Sequence, residues 1–334
     1  MSTTAKKILF VLSPFERAHF FPDLFLDTWL EASGHDYRII EPGDFEQAMN
    51  AFHPEILVGG WDMPALPLEA MESNGGTLRY FCFLPGSSKK QISEKHLEAG
   101  LLHSNWGTWG APYVAECALL LMLSAQRRVA RWSYQLRETG QWRERATDNR
   151  SLFGKRVGLR GFGAIAQSLV ELLQPFHPEI TADSSVPDDL LARYKVKRAE
   201  STEALFAESD VLVELKPLTV NTRKSVDERL LRLLPEGASF INIGRGQVVD
   251  EAALIRVARE GRIQIALDVF EQEPLPKESP LRTLPNVFLL PHMGGATGDR
   301  GMDCGRRALG NVERYIAGKP LENLVDLEQF KRST

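Results

Sequence analysis

Three groups of residues in this chain have the types and spacing that chemistry requires. The first is Gly161-Phe162-Gly163-Ala164-Ile165-Ala166, which lies between a strand pattern and a helix pattern. A GxGxxA turn in that setting brings backbone amides at a helix N-terminus close to a pyrophosphate, with Gly161 and Gly163 giving the approach. Asp183 lies 22 residues after Gly161 at the end of the next strand pattern, where a carboxylate can accept hydrogen bonds from an adenosine ribose diol. That carboxylate repels a 2′-phosphate, and Ser184 and Ser185 rather than an arginine follow it, which points to NAD in preference to NADP. The second group is Ile241-Asn242-Ile243-Gly244-Arg245-Gly246, an arginine at a strand's carboxyl end before a helix capped by Asp250. A guanidinium there can clamp a carboxylate bidentately and polarise the adjoining carbonyl, as a 2-oxo acid requires. The third is Asp268-Val269-Phe270-Glu271-Gln272-Glu273-Pro274 with Pro291-His292-Met293-Gly294-Gly295, His292 lying nineteen residues after Glu273. A histidine facing a carboxylate can hold the proton that reduction of a 2-oxo acid consumes, and Glu273 is the candidate carboxylate. Taken singly, each has a plain structural reading: a glycine turn, a surface ion pair, a structural histidine. It is their conjunction at strand ends that points to hydride chemistry.

The elements that must position these groups follow from periodicity. From Lys6 to Asn105, KILFVLS, FPDLFLDTWLEASG, YRII, DFEQAMNAF, EILVGG, LRYFCFL, SEKHLEAG and LLHSN alternate strand-like and helix-like stretches. That alternation implies a parallel sheet covered by helices. Gly34 and Gly100 stand where left-handed helix stops are expected. The pattern from about Tyr113 to Trp142 predicts one long helix between domains. A second alternating block begins at Lys155 and contains six strand patterns: RVGLRG, EITAD, VLVEL, ASFINIG, QIALDVF and VFLLPH. Between them SSVPDD reads as an acidic loop. A final helix, Arg306 to Ile316, has its natural place back on the first domain. The fold class is therefore α/β, with two Rossmann-like, doubly wound parallel-sheet domains and a discontinuous substrate domain. The substrate domain takes residues 1–108 and 297–334, and the NAD-binding Rossmann domain residues 109–296.

Composition narrows the partners. The 334 residues suffice for two domains, with 43% hydrophobic and 25% charged residues. A net charge of −4 and a pI near 6.0 give no general attraction to nucleic acid or an anionic membrane, so an acidic substrate must be held by local cations. Cys82, Cys117 and Cys304 form no CxxC pair and have no histidine-rich surroundings, which argues against a disulfide framework or structural zinc and fits a reducing cytoplasm. The apolar runs Ile8 to Leu12 and Ala118 to Leu123 are too short for a signal sequence or a membrane span.

The segments GKRVGLRGFGAIA, LPEGASFINIGRGQVVDEAAL, GRIQIALDVFEQEPLP and PNVFLLPHMGG resemble, in order and spacing, the D-isomer-specific 2-hydroxyacid dehydrogenases. That family includes glyoxylate/hydroxypyruvate reductases and D-lactate and D-3-phosphoglycerate dehydrogenases. The resemblance runs from about Leu78 to Gly318 and is most specific between Lys155 and Gly295. It implies a flavodoxin-like substrate domain and a homodimer formed through the NAD domain. It also implies that Arg245 binds the substrate carboxylate and carbonyl, that His292 is the acid/base and that Glu273 orients and charges it. Asp268 would bind the nicotinamide carboxamide, Ala164 and Ile165 the pyrophosphate, and the Ile243 and Gly244 carbonyls would face the nicotinamide ring, with Gly294 and Gly295 on the cofactor side.

Several segments depart from the family pattern. Arg160 replaces an apolar strand residue and, if buried, needs a partner. Leu215 stands near a frequent histidine in Glu214-Leu215-Lys216-Pro217-Leu218-Thr219, so cofactor contacts there differ. The loop Leu84-Pro85-Gly86-Ser87, whose counterpart holds the substrate carboxylate, is unusual, as is Asn105-Trp106-Gly107-Thr108-Trp109-Gly110. Trp106 and Trp109 read equally as walls of an apolar side-chain pocket or as core. The reading is thus a 2-oxo acid reductase with Gly86 and Ser87 on the substrate side and no specified side chain. The alternatives are a corepressor-like NAD(H)-binding module, for which no recruitment segment is present, and a phosphoglycerate-type dehydrogenase. With no regulatory domain expected after Thr334 and no evident extra cationic cluster for a phosphate, the latter is expected to be secondary. Formate dehydrogenase relatives pair the histidine with glutamine, and Glu273 speaks against them.

Overall fold

The alternating apolar and amphipathic stretches form two parallel sheets in the computed structural model, which describes residues 5–143 and 148–332. Contacts divide the chain into one unit of residues up to Gly110 and from Ala296 onward, and another from Ala111 to Gly295.

The first unit is built on β1 (Lys7–Val11), β2 (Asp36–Ile40), β3 (Ile56–Gly59), β4 (Tyr80–Phe83) and β5 (Leu102–Ser104), in the order β2-β1-β3-β4-β5. Helices α1 (Pro14–Phe20), α2 (Phe25–Ser33), α3 (Phe45–Phe52) and α4 (Glu94–Glu98) make the connections. The central strands are apolar on both faces because both are covered, as a parallel sheet demands. Ile8, Phe10, Ile56, Val58 and Tyr80 pack on one side with Cys304, Ala308, Leu309 and Val312. Leu9, Val11, Leu57 and Phe81 pack on the other with Phe45, Phe52 and Phe330. The tail helices Gly301–Ile316 and Leu327–Arg332 therefore close the core of a unit that the chain left at Gly110 and re-entered at Ala296, and the unit is discontinuous.

The second unit is a seven-stranded parallel sheet: β6 (Arg156–Arg160), β7 (Glu179–Asp183), β8 (Lys197–Arg198), β9 (Val211–Glu214), β10 (Ser239–Asn242), β11 (Gln264–Leu267) and β12 (Val287–Leu289). The order β12-β11-β10-β9-β6-β7-β8 reverses direction between β6 and β9, the place where doubly wound sheets open a crevice. Helices α5 (Ala111–Gln126), α6 (Val129–Tyr134), α7 (Ala164–Leu173), α8 (Asp188–Arg193), α9 (Thr202–Glu208), α10 (Glu228–Leu233) and α11 (Glu251–Arg259) surround it. Among the described residues no helix is long and apolar enough to cross a membrane.

Three details differ from the sequence reading. The long helix expected from Tyr113 to Trp142 breaks at Arg128, which is left-handed with φ 54°. The Gln126 carbonyl accepts the Arg150 amide at 2.8 Å instead of continuing the helical ladder, and the Gln126 side chain is pinned to the Ser239 hydroxyl at 3.0 Å. The sheet has seven strands rather than six, because two-residue β8 is too short and too exposed to leave an apolar signature. The acidic stretch expected as loop starts α8 at Asp188, directly after Pro187.

Candidate active site

At the end of β6 the chain turns at Gly161, whose φ of 107° suits glycine; a Cβ there would stand 3.2 Å from the Leu215 carbonyl carbon and the Lys216 amide. Gly163 is the N-cap of α7 and has no side-chain cap, and a Cβ there would meet nothing within 4 Å. The amides of Ala164 and Ile165 therefore begin a helix with an open approach, the arrangement that receives a pyrophosphate. Asp183 ends β7, and its carbonyl accepts the Gly161 amide at 3.0 Å, tying the turn to the next strand. An open glycine cradle, an uncapped helix start and a strand-end carboxylate together fit a dinucleotide.

Arg245 follows β10 after Ile243 and Gly244. Asn242 braces the turn by accepting the Gly244 amide at 3.1 Å and donating to the Arg245 carbonyl at 3.3 Å. Gly246 is required by close approach, since a Cβ would fall 1.9 Å from the Phe270 carbonyl. Burial lowers the Arg245 pKa while the charge of Glu273 opposes it; a guanidinium remains charged regardless.

Glu273 and His292 meet on the loops after β11 and β12. His292 Nδ1 and Glu273 Oε2 are 2.6 Å apart, and Glu273 Oε1 accepts the Phe270 amide at 2.9 Å. Burial pushes the Glu273 carboxyl up, but His292, the Phe270 amide and the charge of Arg245 together hold it below the usual carboxylate range. Its engagement of Nδ1 leaves Nε2 as the nitrogen that reaches outward from a half-exposed ring. His292 itself is left-handed, φ 51°, and its amide donates to the Asp268 carbonyl at 2.8 Å.

Asp268 is buried and holds this loop by both oxygens, accepting the Met293 amide at 2.8 Å and the Gly294 amide at 2.9 Å. Burial raises its pKa against those two amides. In this structure its carboxylate is the clamp of the His292 loop. Ile243 packs against Gly294, where a Cβ would stand 3.2 Å from the isoleucine Cδ1, and Gly295 closes the unit.

The second unit thus brings together Arg245, Glu273, His292, Asp268, Ile243, Gly244 and Gly294 on one set of strand ends, with Gly161, Gly163, Ala164, Ile165 and Asp183 on another. Gly86 and Ser87 belong to the first unit, on the loop after β4. There Asn105 Nδ2 donates to the Gly86 carbonyl, and a Cβ on Gly86 would fall 2.3 Å from Trp106 Nε1. Trp106 packs on Gly86 and Gly110, and Trp109 lies beneath the Arg307 guanidinium at 5.5 Å, so both tryptophans serve that unit's own packing.

The partner that Arg160 requires is Glu214, at 2.7 Å, with Ser225 Oγ at 2.8 Å from its other terminal nitrogen. Complete burial raises the Glu214 pKa against the pull of Arg160. Sequence reasoning missed Lys216 and Thr202, which both bind Asp183. It also missed the Ser13–Glu16 capping box at the start of α1, for which S-P-F-E was an available signal. Among the described residues no cluster of His, Cys, Asp or Glu could hold a metal ion.

Residues 119–294 match the model of the D-isomer specific 2-hydroxyacid dehydrogenase, NAD binding domain. The chain is 36% identical over 220 residues to glyoxylate/hydroxypyruvate reductase B of Yersinia pestis, which covers 64% of this chain and 67% of that protein. It is 31% identical over 236 residues to D-3-phosphoglycerate dehydrogenase of Methanocaldococcus jannaschii, covering 70% of this chain but only 45% of that longer protein. The structure of a glyoxylate reductase from Paecilomyes thermophila has the same fold, with a TM-score of 0.81 at 22% identity over 96% of this chain and 98% of that one. The fold, the dinucleotide turn and the matched segment agree: this chain belongs to the D-isomer specific 2-hydroxyacid dehydrogenase family.

Proposed function

We propose that the protein interconverts a small 2-oxo acid and its D-2-hydroxy acid with NAD(H), the unit from Ala111 to Gly295 binding cofactor and the other unit contributing to the substrate side. The observation that carries this reading is the 2.6 Å pair of Glu273 and His292 on strand ends next to that of Arg245. When bound, NADH supplies the hydride for C2. Arg245 holds the substrate carboxylate and polarises the C2 carbonyl. His292 gives the proton from Nε2 to O2 in reduction and takes it back in oxidation, while ionised Glu273 fixes the ring and balances its positive charge. Ala164, Ile165 and Gly163 receive the pyrophosphate, Asp183 the adenosine ribose, and Ile243, Gly244, Gly294 and Gly295 border the nicotinamide. Gly86 and Ser87 contribute to substrate binding.

Exposed Val129, Tyr134 and Leu136 on the cofactor unit support a homodimer through that unit, and light scattering that finds a single chain in solution would refute it. Free Cys82, Cys117 and Cys304 suit a reducing cytoplasm. The direct test is His292→Ala assayed by NADH oxidation against glyoxylate, pyruvate, hydroxypyruvate and phenylpyruvate. Turnover is expected to fall by about 10²–10⁴-fold with every acid, with NADH affinity retained. Normal turnover with any of them removes His292 from its role.

A further inference from the structure

The carboxyl ends of β7, β6 and β9 place three charged residues in one row, because Arg160 pairs in register with Asp183 on one side and Glu214 on the other. Lys216 completes the group two residues beyond β9. Its amide donates to Glu214 Oε1 at 2.8 Å, and its ammonium lies 2.9 Å from Asp183 Oδ2. The same Oδ2 accepts the Thr202 hydroxyl at 2.7 Å. A carboxylate oxygen has two lone-pair sites, so Oδ2 is filled from within the protein and Oδ1 remains for a ligand.

This occupancy changes what the strand-end carboxylate can select. An unpartnered aspartate grips both hydroxyls of a ribose diol and repels a phosphate on the 2′ oxygen. Asp183 offers one free oxygen instead of two, and the charges of Asp183, Lys216, Arg160 and Glu214 cancel as a group. Burial raises the Asp183 pKa, but Lys216, Thr202 and the charge of Arg160 bring it below the ordinary value, so the ion pair is intact at neutral pH. Both side chains stay partly open, Lys216 24% and Asp183 22% exposed, so a ligand can reach the ammonium. Lys216 is also fixed in place. Its backbone crosses over Gly161, the first glycine of the dinucleotide turn, and is anchored through Glu214 to buried Arg160.

We infer that Lys216 is a cofactor-discriminating residue, whose ammonium offsets Asp183 and receives a 2′-phosphate, so that the protein accepts NADPH as well as NADH. The inference rests on the proposal that a nicotinamide dinucleotide occupies this site. On binding NADPH the ammonium exchanges its bond to Asp183 for one to phosphate, and Thr202 continues to hold the aspartate. With NADH the pair stays closed and Asp183 Oδ1 accepts one ribose hydroxyl. The preference for NADH that a strand-end carboxylate imposes is thereby narrowed.

Equilibrium binding, read from the fluorescence of NADH and NADPH on the full-length protein without substrate, tests this apart from turnover. The wild-type dissociation constants are expected to lie within about tenfold of each other, a difference of about 1.4 kcal/mol. Lys216→Met is expected to raise the NADPH-to-NADH ratio of dissociation constants by about tenfold, and Lys216→Arg, which keeps the cation, to preserve the wild-type ratio. Should Lys216→Met not fold, Lys216→Gln carries the same measurement. ADP-ribose and its 2′-phosphate, used as competitors, are expected to show the same ratios without the nicotinamide. A rise of less than about fivefold on removing the cation, or a wild-type preference for NADH beyond about a hundredfold, overturns the role of Lys216 while leaving the dehydrogenase reading intact. Failure of the wild-type protein to bind either dinucleotide overturns the cofactor site itself.

Discussion

The two parallel sheets of this chain end differently at their carboxyl edges. In the seven-stranded sheet the edge is a set of polar groups held in pairs: Asp183 with Lys216, Arg160 with Glu214, Glu273 with His292, and Asp268 with two loop amides. In the five-stranded sheet the strand order reverses between β1 and β3, again the place where a doubly wound sheet opens. There buried Glu16 accepts the amides of Ser13 and Asp62 at 2.9 Å each and so shapes the loops. Two exposed aromatic rings stand beside it, Phe15 at 65% and Trp61 at 43%, next to exposed Asp62. One edge is built to fix charge at defined points, the other to present apolar surface. On the proposed function, the polar edge would serve the carboxylate, carbonyl and hydride chemistry common to all 2-oxo acids.

The sharpest way to break the comparison is to remove one charge from the polar edge. Arg160→Leu leaves Glu214 buried with its principal counter-charge gone, and such a change costs about 3–5 kcal/mol. Urea unfolding of Arg160→Leu and of Arg160→Leu/Glu214→Leu measures it, and the double variant is expected to recover most of the loss. The effect has a pH sign. The folded pKa of Glu214 is raised by burial, so any stability it contributes is present below the ordinary carboxylate value and is lost as pH rises through the folded one. The single variant's deficit should therefore be greater at pH 8 than at pH 5. A deficit independent of pH would show that the carboxyl is not the source of the cost.

A smaller effect is expected at Glu273→Gln. The amide keeps the shape and can still accept from His292 Nδ1, but it supplies no negative charge to a protonated ring. The loss in kcat is expected to be about 10²-fold, as for a misoriented catalytic group, with NADH affinity unchanged. Loss of NADH affinity with kcat intact would instead place Glu273 in cofactor binding.

The two edges also differed in how far they could be read beforehand. The polar edge was legible where its signals are local in sequence. The glycine turn at Gly161, the arginine between Gly244 and Gly246, and the histidine after Pro291 each sit next to a strand pattern that announces where they lie. Glu273 was readable as the partner of His292 from its place before Pro274, but the pairs of Arg160 with Glu214 and Lys216 with Asp183 were not legible, because their members are 54 and 33 residues apart and only the fold brings them into register. The break at Arg128 was hidden for the same reason, since the Arg150 amide that ends the ladder comes from beyond the helical pattern. In the aromatic edge the capping box of Ser13 and Glu16 was local and readable. The clustering of Trp61 with Phe20 and His19, at ring distances of 4.9 and 5.8 Å, depends on the β1–β3 neighbourhood and was not.

The smallest effect tests the aromatic edge. Trp61 stands on the loop after β3, at the point where the strand order reverses and ligands collect. If this surface selects the substrate's side chain, Trp61→Ala should raise KM for phenylpyruvate relative to glyoxylate. An aromatic contact contributes about 0.5–1.5 kcal/mol beyond area burial, so the change in that ratio should be about two- to tenfold. Trp61 also packs against Phe20 and His19, so the variant is expected to lose about 0.5–1.5 kcal/mol of stability from those ring contacts, and the assays are run where urea unfolding shows it still folded. The informative quantity is the ratio rather than either KM alone. Glyoxylate has no side chain to touch the ring, so a loss shared equally by both acids would mean that Trp61 shapes the loop and not the specificity. A ratio that moves with unchanged kcat for glyoxylate would show that the apolar edge discriminates while the polar edge reacts.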